Sequence, residues 1–105
     1  MTTFDDREKG FEGKFARDQE QEFLATARRN RMLGEWAARR MGLRNVDDYA
    51  NAVVRNELHR PGDEDVLRKV TQDLSGSGLS VTAGEVRGKM DEFMAIARGQ
   101  LQSGG

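Results

Sequence analysis

Cysteine is absent from the 105-residue chain, which excludes disulfides and thiolate metal sites and fits a reducing compartment. Proline occurs once, at Pro61, so little in the chain obstructs long helices. Histidine also occurs once, at His59, leaving any transition-metal site to rest on carboxylates alone. No apolar run approaches the roughly 18 residues of a bilayer-spanning helix, and the start shows no signal-peptide pattern. A cytoplasmic protein is therefore expected. Aromatic residues make up 7% and the hydrophobic set 36%, against 33% charged, which suits a thin helical bundle better than a deep catalytic pocket. The net charge of −1 argues against a general nucleic-acid binder.

The remaining catalytic patterns also fail. Asp63, Glu64 and Asp65 resemble a Ca2+ or Mg2+ cluster, but acids gather at a helix N-terminus anyway, and no loop of alternating oxygen ligands follows. The Ser75–Gly78 stretch lacks the lysine and preceding strand of a phosphate-binding loop. No serine has a patterned histidine partner. No cofactor, metal or catalytic residue is expected, and the chain does not read as an enzyme.

What the chain has is helical periodicity and unevenly placed charge. Six arginines (28, 29, 31, 39, 40, 44) face one acid, Glu35, between Arg28 and Arg44. The following stretch, 45–75, turns acidic. Two solvated faces that neutralise each other explain this asymmetry, with a polyanion site as the other reading. Phe23, Leu24, Ala27, Met32, Leu33, Trp36, Ala37 and Met41 recur at spacings of three and four, and Gly42 supplies a stop. Trp36 suits a core anchor, and Met32, Met41, Met90 and Met94 suit gap-fillers. Asn45 and Asp48 open a second helix with Val46, Tyr49, Ala50, Val53, Val54 and Leu58 on one face, ending before Pro61. Asp63 is expected to cap a third, with Val66, Leu67, Val70 and Leu74 inside and a flexible Ser-Gly-Ser-Gly loop after it. Thr82 and Glu85 form a capping box before Val86, Met90, Phe93, Met94, Ala97 and Leu101.

The first residues differ. Phe4, Phe11 and Phe15 would fall within an arc of roughly 40° on a helix at about 100° per residue. Gly10 and Gly13 sit among them, each costing about 1 kcal/mol relative to alanine. Asp5, Asp6, Glu8, Glu12, Asp18 and Glu20 alternate with Arg7, Lys9, Lys14 and Arg17. Such a segment is marginal alone and gains helix when a partner buries its aromatic edge, unless it is simply a solvated terminus. The predicted fold is all-α: a small antiparallel four-helix bundle with a mobile N-terminal arm. Residues 1–19 form the arm, disordered alone and helical on binding. Residues 20–102 form the bundle, with helices at about 19–41, 46–58, 63–75 and 83–101, and 103–105 a disordered tail.

Four blocks, TTFDDREKGFEGKFARDQEQEF, TARRNRMLGEWAA, GDEDVLRKV and VRGKMDEFMA, resemble in content and order the zeta subunit, the ATPase inhibitor subunit of the alphaproteobacterial F-type ATP synthase. The resemblance covers roughly residues 2–98. It implies an inhibitor of ATP hydrolysis whose arm folds into a helix in an alpha/beta catalytic interface, reaches the gamma subunit and blocks rotation in the hydrolysing direction. The partners implied are the alpha, beta and gamma subunits, bound by a monomer held peripherally on the cytoplasmic face of the inner membrane through the ATP synthase. Carried over by position, the inhibitory residues are Phe4, Asp5, Asp6, Arg7, Glu8, Lys9, Phe11, Lys14 and Phe15, with Arg17 standing where many members have histidine. A histidine there could titrate, whereas Arg17 stays charged. The competing expectation is a small RNA- or nucleotide-binding module using Arg28, Arg29, Arg31, Arg39 and Arg40 within the Arg28–Arg44 cluster. Against it, the phenylalanines lie in the acidic arm and are not interleaved with the arginines as base-stacking platforms.

Overall fold

The computed structural model describes the backbone of residues 3–103 and the side chains of residues 18–103. Four helices follow in order: α1 Thr3–Met41, α2 Val46–His59, α3 Asp63–Gly76 and α4 Ala83–Gln102. The predicted all-α four-helix architecture is what the chain adopts.

Local chemistry sets most of the boundaries. The Asn45 side chain accepts from the Asp48 backbone N–H at 3.0 Å and donates to the Asp48 carboxylate at 2.8 Å, opening α2. Thr82 Oγ1 accepts from the Glu85 N–H at 3.1 Å and opens α4. Gly42, at φ +71°, closes α1: the Leu43 N–H reaches the Ala38 carbonyl at 3.0 Å and the Gly42 N–H reaches Arg39 at 3.1 Å. The same closure ends α3, with Leu79 N–H on the Leu74 carbonyl and Gly78 N–H on Ser75. Ser75 and Gly76 therefore belong to the last turn of α3, and the expected flexible loop is a hydrogen-bonded helix end.

Helices α2 and α4 run antiparallel to α1. Gly34 meets Ala50 on α2 while Arg29, nearer the N-terminus, meets Glu57. Trp36 lies by Lys89 of α4, and Arg28 donates to Gln100 further along that helix. Tyr49 donates its hydroxyl to Asp73 at 2.7 Å and so ties α2 to α3, with Lys69 bonding the same carboxylate at 3.1 Å. Burial, chiefly, together with the adjacent Asp73 pushes the Tyr49 phenol far above its usual range.

Leu33, Ala37, Val53, Val66, Leu67, Val70, Leu74, Val81, Val86 and Met90 form the core, with Trp36, Met41, Tyr49, Leu79 and Phe93 packed against it. The predicted inner residues of α3 are all buried. On α1 the outcome differs: Phe23 is 59% and Leu24 40% exposed, whereas Ala25, Ala38, Arg29 and Asn30 are buried. Every residue from Asp18 to Leu24 is exposed, so among the described residues the core begins at Ala25.

Candidate functional site

Three of the six arginines of the cluster, Arg28, Arg29 and Arg31, are engaged by the fold. Arg29 is 2% exposed. Its Nε donates to the Asn30 side chain at 2.9 Å, its Nη2 donates to Asp63 at 2.9 Å, and Glu57 lies 3.7 Å away. A guanidinium taken out of water in this way must be paired, because an unpartnered buried charge is costly. Arg31 donates to Asn51 at 2.8 Å and to Asp47 at 3.0 Å, and Arg28 to Gln100 at 3.2 Å. The nucleic-acid reading required these side chains on an open face. Arg29 is unavailable to such a face and Arg28 and Arg31 are committed to neighbouring helices, whereas Arg39, Arg40 and Arg44 are exposed.

Asp63 is accordingly not the cap expected from sequence. Gly62, at φ +127°, occupies the cap position of α3 and makes no side-chain cap bond, while the Asp63 carboxylate turns to Arg29. That hydrogen bond, reinforced by the charges of Arg29 and Arg87 and opposed by partial burial, holds Asp63 below its ordinary value of 3.8. A lowered folded-state value contributes stability above the ordinary one, lost as pH falls through the folded value. Asp63→Asn should therefore flatten the acid limb of the stability curve below the ordinary value of 3.8, read as the urea midpoint against pH. An unchanged acid limb would show that the pair contributes nothing.

Two open depressions mark the surface. One, of about 390 Å³, is lined by Met32, Glu35, Trp36, Arg39, Arg40 and Phe93. The Arg40 guanidinium and the Lys89 ammonium lie 5.7 and 5.9 Å from the Trp36 ring centre. Trp36 thus spans core and surface, with cations near its ring. The second, of about 500 Å³, lies between α1 and the end of α2, around Phe23, Leu58 and Pro61. Phe23 and Leu58 were expected inside. Phe23 has the phase of the buried face but stands opposite the last turn of α2, where only Leu58 and Pro61 flank it, and periodicity carries no information about height. Among the described residues no group of three or more His, Asp or Glu side chains is placed to hold a metal, and no helix is long and apolar enough to cross a membrane.

The predicted inhibitory residues, Phe4, Asp5, Asp6, Arg7, Glu8, Lys9, Phe11, Lys14, Phe15 and Arg17, have side chains outside the described residues; their backbone positions fall in α1.

The family model for ATPase inhibitor subunit zeta matches residues 1–100, arm and bundle together. A solved structure entitled "Solution NMR structure of the protein" is similar at 38% identity and a TM-score of 0.67, over 80% of this chain and 98% of that one. No curated protein matches the chain. A family match over nearly the entire length, joined to the four-helix fold, leads to one conclusion: the chain belongs to the ATPase inhibitor subunit zeta family, and is a regulatory subunit and not itself an enzyme.

Proposed function

We propose that this ATPase inhibitor acts on the ATP synthase through residues 1–19, which follow the helical path of α1 inside an alpha/beta catalytic interface, reach gamma and stop rotation in the hydrolysing direction. The bundle from residue 20 to 102 is the body that carries this plug, bound peripherally at the membrane through the ATP synthase. The observation that supports the division is the exposure of every residue in Asp18–Leu24: the body touches this length of α1 only at its edge, through Arg98 on Glu22 and Leu58 beside Phe23, and its core lies wholly beyond.

Energetics say what the cleft must supply. Burying Phe4, Phe11 and Phe15 is worth about 1.5–3 kcal/mol each. Ordering some fifteen residues costs about 1 kcal/mol or more apiece. The aromatic edge alone falls short, so Arg7, Lys9, Lys14 and Arg17 need carboxylates on the partner, and the acids of the arm need bases. Association should therefore slow as ionic strength rises. Replacing Phe4, Phe11 and Phe15 together by alanine should raise the half-inhibitory concentration at least about 100-fold, since each lost ring is worth more than about 1 kcal/mol. Bundle stability should stay within about 1 kcal/mol of wild type. Full inhibition by the triple variant, or a large loss of stability, would remove these rings from the plug.

A further inference from the structure

We propose that the depression between α1 and α4 around Trp36 is where the bundle itself docks on the ATP synthase, and that it receives an acidic segment of that complex. The fitting element is an apolar side chain flanked by aspartate or glutamate. This rests on the inhibitor reading above and adds to the plug a second, separate point of contact.

The sign of the partner follows from the cations that the fold leaves without acids of its own. Arg31, Arg87 and Arg98 are paired across helices with Asp47, Glu64 and Glu22. Arg39 and Arg40 line the depression, are exposed, and have no carboxylate partner among the described residues. Glu35 is the one acid lining it. From Trp36 to Val46 the chain carries three arginines, Arg39, Arg40 and Arg44, and no acid. Leu43, between them, is 40% exposed. The end of a helix favours cations in any case, which accounts for arginine here but not for the aromatic recess beside it.

The rings decide between acidic side chains and a nucleobase. Lys89 lies 5.9 Å from the Trp36 ring centre and 5.7 Å from that of Phe93, and Arg40 lies 5.7 Å from Trp36. Both rings already carry a cation, so a stacking base would have to displace it. A carboxylate instead meets cations held in place, beside half-buried Met32, Trp36 and Phe93 that can receive an apolar side chain. Tryptophan and arginine are also the residue types that carry most binding energy in contacts between proteins.

Helix α1 is continuous from Thr3 to Met41, and Trp36 stands seventeen residues beyond position 19. At 1.5 Å per residue the depression lies about 26 Å along the axis from the end of the plug. A seated plug therefore leaves it outside the cleft, free to meet a separate surface. Two linked contacts bind more tightly than one, so losing this one weakens binding without removing the block.

The test titrates ATP hydrolysis by the matching ATP synthase head with full-length protein, after thermal melts establish that each variant is folded. Arg39→Glu with Arg40→Glu should raise the half-inhibitory concentration at least about tenfold while inhibition at saturation stays complete. Arg39→Gln with Arg40→Gln, the milder change, should raise it severalfold. Arg55 and Arg60, exposed and beside no aromatic ring among the described residues, provide the control. Arg55→Glu with Arg60→Glu makes the same change in net charge and should stay within about twofold of wild type. Wild-type inhibition by both variant pairs at 39 and 40, or an equal loss in the control, would overturn the docking surface. So would submicromolar binding of an RNA oligonucleotide that Arg39→Gln with Arg40→Gln abolishes, since the depression would then serve nucleic acid. Failure of the plug reads out elsewhere: Phe4, Phe11 and Phe15 replaced together by alanine would then inhibit as wild type does, whatever the arginine pairs do.

Discussion

A chain lacking residues 1–19 should fold as the full-length protein does and lose its inhibition of ATP hydrolysis. The first half of this expectation follows from where the body holds itself together. The described core starts at Ala25, and the contacts that fix the helices to one another (Arg29 with Asp63, Tyr49 with Asp73, Gly34 against Ala50) all lie further along. The truncated helix keeps more than five turns and all three of its neighbours, so its stability comes from packing and not from its length. Unfolding free energy should stay within about 1 kcal/mol of the full chain. The second half follows from what is removed: three phenylalanines and most of the charges assigned to the cleft. The half-inhibitory concentration should rise at least about 1000-fold, since even about 4 kcal/mol of lost contact energy corresponds to that factor. A hydrolysis titration and a thermal melt on one preparation measure both. Equal inhibition by the two chains would place the inhibitory element in the bundle.

Gly34→Val should cost about 3 kcal/mol or more, the largest loss expected from a single added side chain in this fold. A Cβ at Gly34 would stand 2.6 Å from the Ala50 Cα, 3.2 Å from Val53 Cγ2 and 3.3 Å from the Ala50 Cβ. The first of these neighbours is backbone, so no rotamer change relieves it. Helices α1 and α2 would have to separate, opening the contacts of Leu33, Ala37 and Val53 that both helices bury. Even Gly34→Ala should destabilise, although alanine is about 1 kcal/mol better than glycine within a helix. Gly88 and Gly99 on α4 provide the contrast, because a Cβ at either meets nothing within 4 Å. There the same change to alanine should stabilise by up to about 1 kcal/mol each. Urea unfolding of the three alanine variants and Gly34→Val should show opposite signs at the two kinds of site. Wild-type stability in Gly34→Val would mean that α1 and α2 do not approach so closely.

The two sites look alike in the sequence. Gly34 lies within a run of helix formers, as do Gly88 and Gly99, and only the chain that crosses it distinguishes it. Legibility divides in this way throughout. The starts of α2 and α4 were readable because a cap is a bond between residues three positions apart, as at Asn45–Asp48 and Thr82–Glu85. The end of α1 was readable because only glycine takes the left-handed turn at position 42 without strain. The inner face of α3 was readable because four apolar residues at helical spacing had a single way to be buried. Arg29 escaped because nothing within its own helix marks one arginine among six for burial. Its partners, Glu57 and Asp63, are brought to it by α2 and the start of α3. Asp63 reads as a cap in the sequence for the same reason, since its carboxylate is claimed from across the bundle.

From its sequence alone this protein is all-α, with helix ends set by caps and glycines, and its opening block resembles the zeta subunits; all of these depend on residues close together along the chain. The tertiary structure decided which charges are hidden, which glycine cannot be replaced, and that Phe23 and Leu58 stand open although their spacing points inward. Periodicity gives the angle around a helix, but burial also depends on how far along the axis the neighbouring helices reach, and that is settled only when all four are packed.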